Sequence, residues 1–193
     1  MKVLLFLAKG FETLEASVFI DVMGWARNDY GCDIEVVTCG FQKQVVSTFW
    51  VPVIVDTTLP QVNAEGYDAL AIPGGFEEFG FYQEAFHEDL AELIRAFDKR
   101  KKPIATICVA ALALAHSGIL TGKRATTYHL QGGHRQKQLA SYGAEVIQEP
   151  IVKTENIITS YCPQTAPGVA FALLEELAGS EKMHEVRAAM GYE

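Results

Sequence analysis

The chain has 193 residues, of which 49% are hydrophobic and 21% charged, with a formal net charge of −8. That is enough apolar material for one substantial core and short for two, so a single domain over 1–193 is expected. The basic clusters Lys99-Arg100-Lys101-Lys102 and Lys123-Arg124 are short and carry no interleaved aromatics, which argues against a nucleic-acid surface, and no apolar run reaches membrane-spanning length.

The first strand is read at residues 2–8, a continuous apolar run that fits a strand covered on both faces and ends at Lys9-Gly10. It follows Met1 directly, with no basic, apolar and small-residue leader pattern, so a cytoplasmic protein is expected. A helix over 12–30 places Leu14, Val18, Val22, Trp25 and Ala26 at helical spacing and stops at Gly31. A second strand at 33–38 precedes an antiparallel excursion, 43–47 with 51–55, where Pro52 marks an edge. The strand 67–72 closes on Pro73-Gly74-Gly75, and residues 84–101 read as one amphipathic helix with Phe86, Leu90, Leu93, Ile94 and Phe97 on a single face.

Residues 103–108 form a buried strand that runs straight into a helical segment, 109–116. Downstream, strands are expected at 125–128, 144–147 and 156–161, and helices at 133–142 and 165–177. Alternating strands and helices mean a mostly parallel sheet with helices on both faces. In such sheets ligands gather beyond the carboxyl ends of the strands, so Gly10, Gly74-Gly75, Cys108 and Tyr128-His129 should converge on one crevice.

Four cysteines, Cys32, Cys39, Cys108 and Cys162, form no C-x-x-C pair, and the five histidines form neither H-E-x-x-H nor an i, i+4 pair. No disulfide framework and no metal site are expected. Cys32 and Cys39 flank a strand and read as packing residues. His116 reads as a packing or dimer-contact residue, and His87, His134 and His184 as solvated. The aromatics Phe76, Phe79, Phe81 and Tyr82, like Trp25, read either as core or as dimer surface. Gly118 to Lys123 brushes a phosphate-loop pattern but has one residue too few between its glycines and Arg124 where Ser or Thr belongs.

Cys108 reads either as a buried cysteine at a strand end or as a reactive elbow cysteine. At a strand-to-helix turn its side chain stands above the sheet edge while the first amides of the helix point at its sulfur, which favours the thiolate. Thr106 and Ala110 are small, as an elbow of the G-x-S-x-G type needs, although neither is Gly. Gly74 and Gly75 allow close backbone approach, so their amides, with that of Val109, are candidates to hold an oxyanion. Glu12 and Glu15 lie in the first helix; one serves the helix dipole, or a protonated carboxyl donates to the sulfur and shuttles protons.

The segments Leu7 to Glu15, Ile72-Pro-Gly-Gly75, Ala105-Thr-Ile-Cys108, Ala113 to Gly118 and Ile158-Thr-Ser160 together resemble the ThiJ/PfpI superfamily, in order over nearly the whole chain. The resemblance implies a flavodoxin-like three-layer α/β sandwich, a homodimer and no cofactor. Cys108 would be the nucleophilic, oxidation-prone cysteine, Glu15 the acid on its sulfur, and Gly75 and Val109 the oxyanion amides. The implied activities span glyoxalase III, protein deglycation, hydrolysis or hydration of small amides and isocyanides, and oxidative-stress sensing or chaperone action through Cys108.

Departures from the family pattern bear on that choice. Val109 follows the cysteine where the protease-like branch has His, so a Cys-His pair is missing. Tyr128 stands where the family has a pocket His, with His129 one place along; on a continuing strand the shift would turn the imidazole to the opposite face. Ser160-Tyr-Cys-Pro-Gln-Thr165 replaces an Arg and two glycines, which puts Cys162 and Tyr161 in position to reshape the crevice. The reading favoured is a cofactor-free enzyme for small reactive carbonyl substrates, with Cys108 adding to the aldehyde and Glu15 moving protons.

Overall fold

A computed structural model describes residues 1–192. β1 (Lys2–Phe6) leads through the turn at Gly10 into α1 (Thr13–Tyr30), which stops at Gly31 in the left-handed region, φ 69°. β2 (Glu35–Gly40) is followed by the hairpin β3 (Gln44–Val46) and β4 (Pro52–Ile54), then by β5 (Thr57–Thr58) and β6 (Ala69–Ile72). α2 (Phe81–Ala85) and α3 (Glu88–Lys99) precede β7 (Ile104–Thr106) and α4 (Ala111–His116). β8 (Arg124–Ala125), α5 (His134–Ser141), β9 (Glu145–Val146), β10 (Ile151–Thr154), β11 (Ile157–Ser160), α6 (Ala166–Ala178) and α7 (Ser180–Ala189) complete the chain.

The main sheet runs β10-β11-β7-β6-β1-β2-β5, parallel except for the β10–β11 pair. α1, α6 and α7 pack together on one side, while α3, α4 and α5 cover the other. Val3 to Phe6 and Ala69 to Ile72 are all 0% exposed, as a strand buried on both faces requires. The chain order reverses between β1 and β6, neighbours on which the sequence departs in opposite directions; a doubly wound sheet opens its crevice at such a point.

The hairpin forms a separate antiparallel pair, with Pro52 opposite Val46, as expected from sequence. It is pinned beside the β1–α1 turn, where Gly10 N–H donates to Val46 O at 2.8 Å and Thr48 N–H to Phe11 O at 2.9 Å.

Two expectations need correction, and two elements went unread. The helix read over 84–101 is two helices, because His87 turns extended and its imidazole Nδ1 caps α3 by accepting from Asp89 N–H at 3.2 Å. The strand read at 125–128 ends at Ala125 and pairs with β9 outside the main sheet. Strand β10 lies within a stretch that alternates too weakly to be read as a strand. The polar start of α7, after Gly179, hid a helix whose buried residues are only Met183 and Val186. Among the described residues no helix is long and apolar enough to cross a membrane, and no group of three or more His, Cys, Asp or Glu side chains is placed to hold a metal.

Candidate active site

β7 ends at Thr106, and the chain turns at Cys108 into a single 3-10 turn, Cys108–Ala110, before α4. Cys108 has φ 58°, a left-handed backbone that costs a residue with a Cβ on the order of 1–3 kcal/mol. The surroundings hold it there: its carbonyl accepts from Thr127 Oγ1 at 2.8 Å, and the residues on either side, Ile107 and Val109, are buried. The turn lifts the side chain out of the strand toward a cavity of about 240 Å³ lined by Glu12, Glu15, Gly75, Val109 and Tyr128, among others.

Glu15 is 0% exposed and faces the same cavity. Its Oε2 accepts from Gly74 N–H at 2.6 Å, Oε1 is buried without a well-formed hydrogen bond, and the carboxyl lies in weak reach of Cys108. Gly74 marks where three elements touch. A Cβ on it would lie 2.9 Å from Glu15 Oε2, 2.9 Å from Ile107 O and 3.0 Å from Cys108 Cβ. At Gly75 a Cβ would stand 2.3 Å from Gly10 O and 2.4 Å from the Phe81 ring. The paired glycines are therefore needed for close approach of β6, the β1–α1 turn and the elbow, and Gly10 reaches the site as a neighbour of Gly75 rather than as a lining residue.

Burial pushes the Glu15 carboxyl up to about 8; the Gly74 N–H pulls it back, the Glu12 charge adds to the rise, and the contact with Cys108 lowers it slightly. Burial also pushes the Cys108 thiol well above its ordinary value, with the Glu15 charge next, against one Val109 N–H that pulls it down. The expectation of a thiolate favoured by helix amides is thus corrected: a six-residue α4 behind a single 3-10 turn supplies one amide, and desolvation outweighs it. Both shifts leave Glu15 and Cys108 protonated at neutral pH, and once the first proton is lost the second is held, because its loss would place two anions in contact. Glu15 is the neutral acid of the pair at pH 7.

The other expected site residues separate. Gly75 and Val109 line the cavity; the Gly74 amide is engaged by Glu15 and is withdrawn from the oxyanion set. Tyr128 lines the cavity, whereas His129 stacks on Tyr161 with ring centroids 3.9 Å apart. The two part company because the chain beyond β8 is fixed from two sides, Thr126 N–H on Thr159 Oγ1 at 3.0 Å and Thr127 on the elbow carbonyl. Cys162 is half-buried and caps the turn Pro163–Thr165; it perturbs Cys108 electrostatically, but its neighbour Pro163 does the lining.

Sequence reasoning missed Arg135, Gln131, Glu77 and Glu78. Arg135 reaches in from α5, pairs with Glu77 at 2.6 Å and lies 4.6 Å over the Tyr82 ring. No local motif marks these residues; the Glu77-Glu78 pair directly after Gly74-Gly75-Phe76 was the one available signal. The aromatics divide as well: Phe81 is core, Tyr82 and Phe76 line the cavity, and Phe79 joins an outer cluster with Phe49 and Trp50. His116 packs between Phe86 and Tyr142, away from the cavity.

Comparison with known proteins gives the same frame. Residues 1–176 match the model of the DJ-1/PfpI family. Protein dj-1beta of Drosophila melanogaster is 32% identical over 183 residues, covering 95% of this chain and 92% of that one. The Parkinson disease protein 7 homolog of Danio rerio is 30% identical over 190 residues, covering 98% and 96%. The crystal structure of Drosophila melanogaster DJ-1beta superposes with a TM-score of 0.87 at 30% identity, covering 100% of this chain and 98% of that one.

Proposed function

The chain belongs to the DJ-1/PfpI family, and from that premise we propose that it is a cofactor-free enzyme acting on small reactive carbonyl compounds, of glyoxalase III or deglycase type, as one domain over 1–193 in the cytoplasm. The observation that carries this reading is a fully buried Glu15, its carboxyl pushed up to about 8, beside the elbow Cys108 at one cavity.

In the form of the pair that holds one proton, the sulfur adds to the aldehyde carbon. The S–C bond forms, the carbonyl π pair moves to oxygen, and that oxygen takes the proton from Glu15. The Gly75 and Val109 amides stabilise the developing charge. Glu15, now a carboxylate, removes the proton on the former aldehyde carbon and returns it to the neighbouring carbon, while the hemithioacetal hydroxyl proton passes to the oxygen on that neighbouring carbon, turning the hemithioacetal into a thioester. Water then releases the 2-hydroxy acid and the thiol, so methylglyoxal plus water gives lactate with no external oxidant.

Lactate formation from methylglyoxal by the native protein and by Cys108→Ser tests this; equal rates would end it. Because Cys108 is the sulfur that a peroxide entering the cavity would meet, a redox-sensing role is the second reading. A homodimer is proposed as well, through the exposed apolar side chains of the hairpin tip, Phe49, Trp50, Val51 and Ile54, and of α1, Leu14 and Ile20.

A further inference from the structure

The cavity that Cys108 faces has an excess of negative charge. Among the described residues that line it, Glu12, Glu77 and Glu78 are carboxylates at pH 7, beside the neutral acid Glu15, against the cation Arg135. That cation is already engaged: Nη2 sits on Glu77 at 2.6 Å, Nη1 on Gln138 Oε1 at 3.0 Å, and the guanidinium lies over Tyr82. Among the described residues Glu12 and Glu78 have no ion-pair partner. Independently, Glu15 Oε1 is buried in a fully enclosed side chain with no well-formed hydrogen bond, leaving an acceptor or acid turned to whatever enters. Phe76, 41% exposed, adds an aromatic surface on the same wall. Free carboxylates beside an aromatic ring attract an ammonium group and repel an anion.

We propose that this cavity selects small carbonyl compounds bearing an ammonium group, the aminoketone and amino-aldehyde class, over neutral ones, and rejects those bearing a carboxylate. The proposal rests on the reading of Cys108 as the reacting atom, and its test does not require turnover.

Two methanethiosulfonates of similar size, one ending in an ammonium and one in a sulfonate, are reacted with the protein at low salt. In each case a disulfide forms between Cys108 and the reagent's thioethyl group. Methanesulfinate leaves with the electron pair of the broken S–S bond, and the thiol proton passes to water. Rates at Cys108, separated from those at Cys162 by peptide mass, are divided by the reagent's rate with 2-mercaptoethanol.

The normalised ammonium-to-sulfonate ratio should be on the order of tenfold, and should fall toward one in Glu12→Gln/Glu78→Gln and at about 1 M salt. Aminoacetone should protect Cys108 at lower concentration than pyruvate. A ratio near one in the native protein, an unchanged ratio in a double variant of native circular dichroism, or better protection by pyruvate overturns the proposal. Methylglyoxal turnover is measured in parallel: turnover without a charge ratio removes the filter and keeps the carbonyl chemistry. A charge ratio with no turnover keeps the filter and removes the chemistry.

Discussion

Glu15 Oε2 accepts the N–H of Gly74 at 2.6 Å, a bond between the first helix and the end of β6 that spans 59 positions of sequence and fixes the acid beside the elbow. Gly74→Ala would force a Cβ to within 2.9 Å of both that oxygen and Ile107 O, and backbone cannot yield as a flexible side chain does. The variant should lose about 1–3 kcal/mol in urea unfolding and most of its activity. Full stability would show that the three elements are less tightly joined than described.

Cys108→Ser keeps the shape of the elbow but not its nucleophile, and should lower lactate formation from methylglyoxal by roughly 10³-fold or more. Glu15→Gln should cause a comparable loss, since the amide still accepts from Gly74 but carries no transferable proton. Progress curves with each purified variant decide the matter; a Glu15→Gln enzyme within a factor of about 10 of native would remove the proton-shuttle role.

Stability should fall with rising pH because of Glu15. Unfolded, its carboxyl ionises near 4.5; folded, burial holds the proton up to about 8. Below 4.5 both states carry the proton and the group contributes nothing to the balance. Between 4.5 and 8 the folded state binds more protons than the unfolded one, so stability drops by up to about 1.4 kcal/mol per pH unit and levels off above 8. Denaturant titrations at pH 5 and pH 8 should therefore show the native protein losing several kcal/mol more than Glu15→Gln; parallel losses would place the carboxyl in a wetter environment.

The reacting form of the Glu15–Cys108 pair holds one proton, so kcat/KM should climb about tenfold per unit as pH approaches about 8 and flatten beyond it. A profile flat from pH 6 to 9 would mean that the pair has already lost its first proton at neutrality.

Trp50 and Ile54 are 75% and 64% exposed on the hairpin. Changing Trp50→Ser together with Ile54→Asp should turn a dimer seen by light scattering into a monomer without loss of helicity. A native protein that is monomeric at all concentrations would dismiss the proposed contact.

What the sequence revealed followed physical strength. Runs such as Leu4-Leu5-Phe6 and Leu70-Ala71-Ile72 leave no alternative to doubly covered strands, and the elbow could be read because a strand ends and a helix begins at one cysteine. Gly31 stopped its helix as expected. His87 broke the next one unannounced, because a capping imidazole leaves no periodic trace. In the site, Glu15, Gly75, Val109 and Tyr128 were legible from their nearness to strand ends, whereas Arg135 was not: it arrives from a polar helix distant in sequence, and only folding brings it over Tyr82. The ionisation state of Cys108 was misread because a local pattern shows the helix that follows but not the depth to which the sulfur is buried.

The parts of the cavity are mounted differently. Cys108 and Glu15 are each held by a buried hydrogen bond, to Thr127 and to the Gly74 amide just beyond β6, while Glu77, Glu78 and Gln131 ride on isolated 3-10 turns outside any strand ladder. Point changes on those turns can retune what is admitted while the reactive centre stays fixed, so divergence among relatives should accumulate at the rim and leave the machinery beneath it conserved.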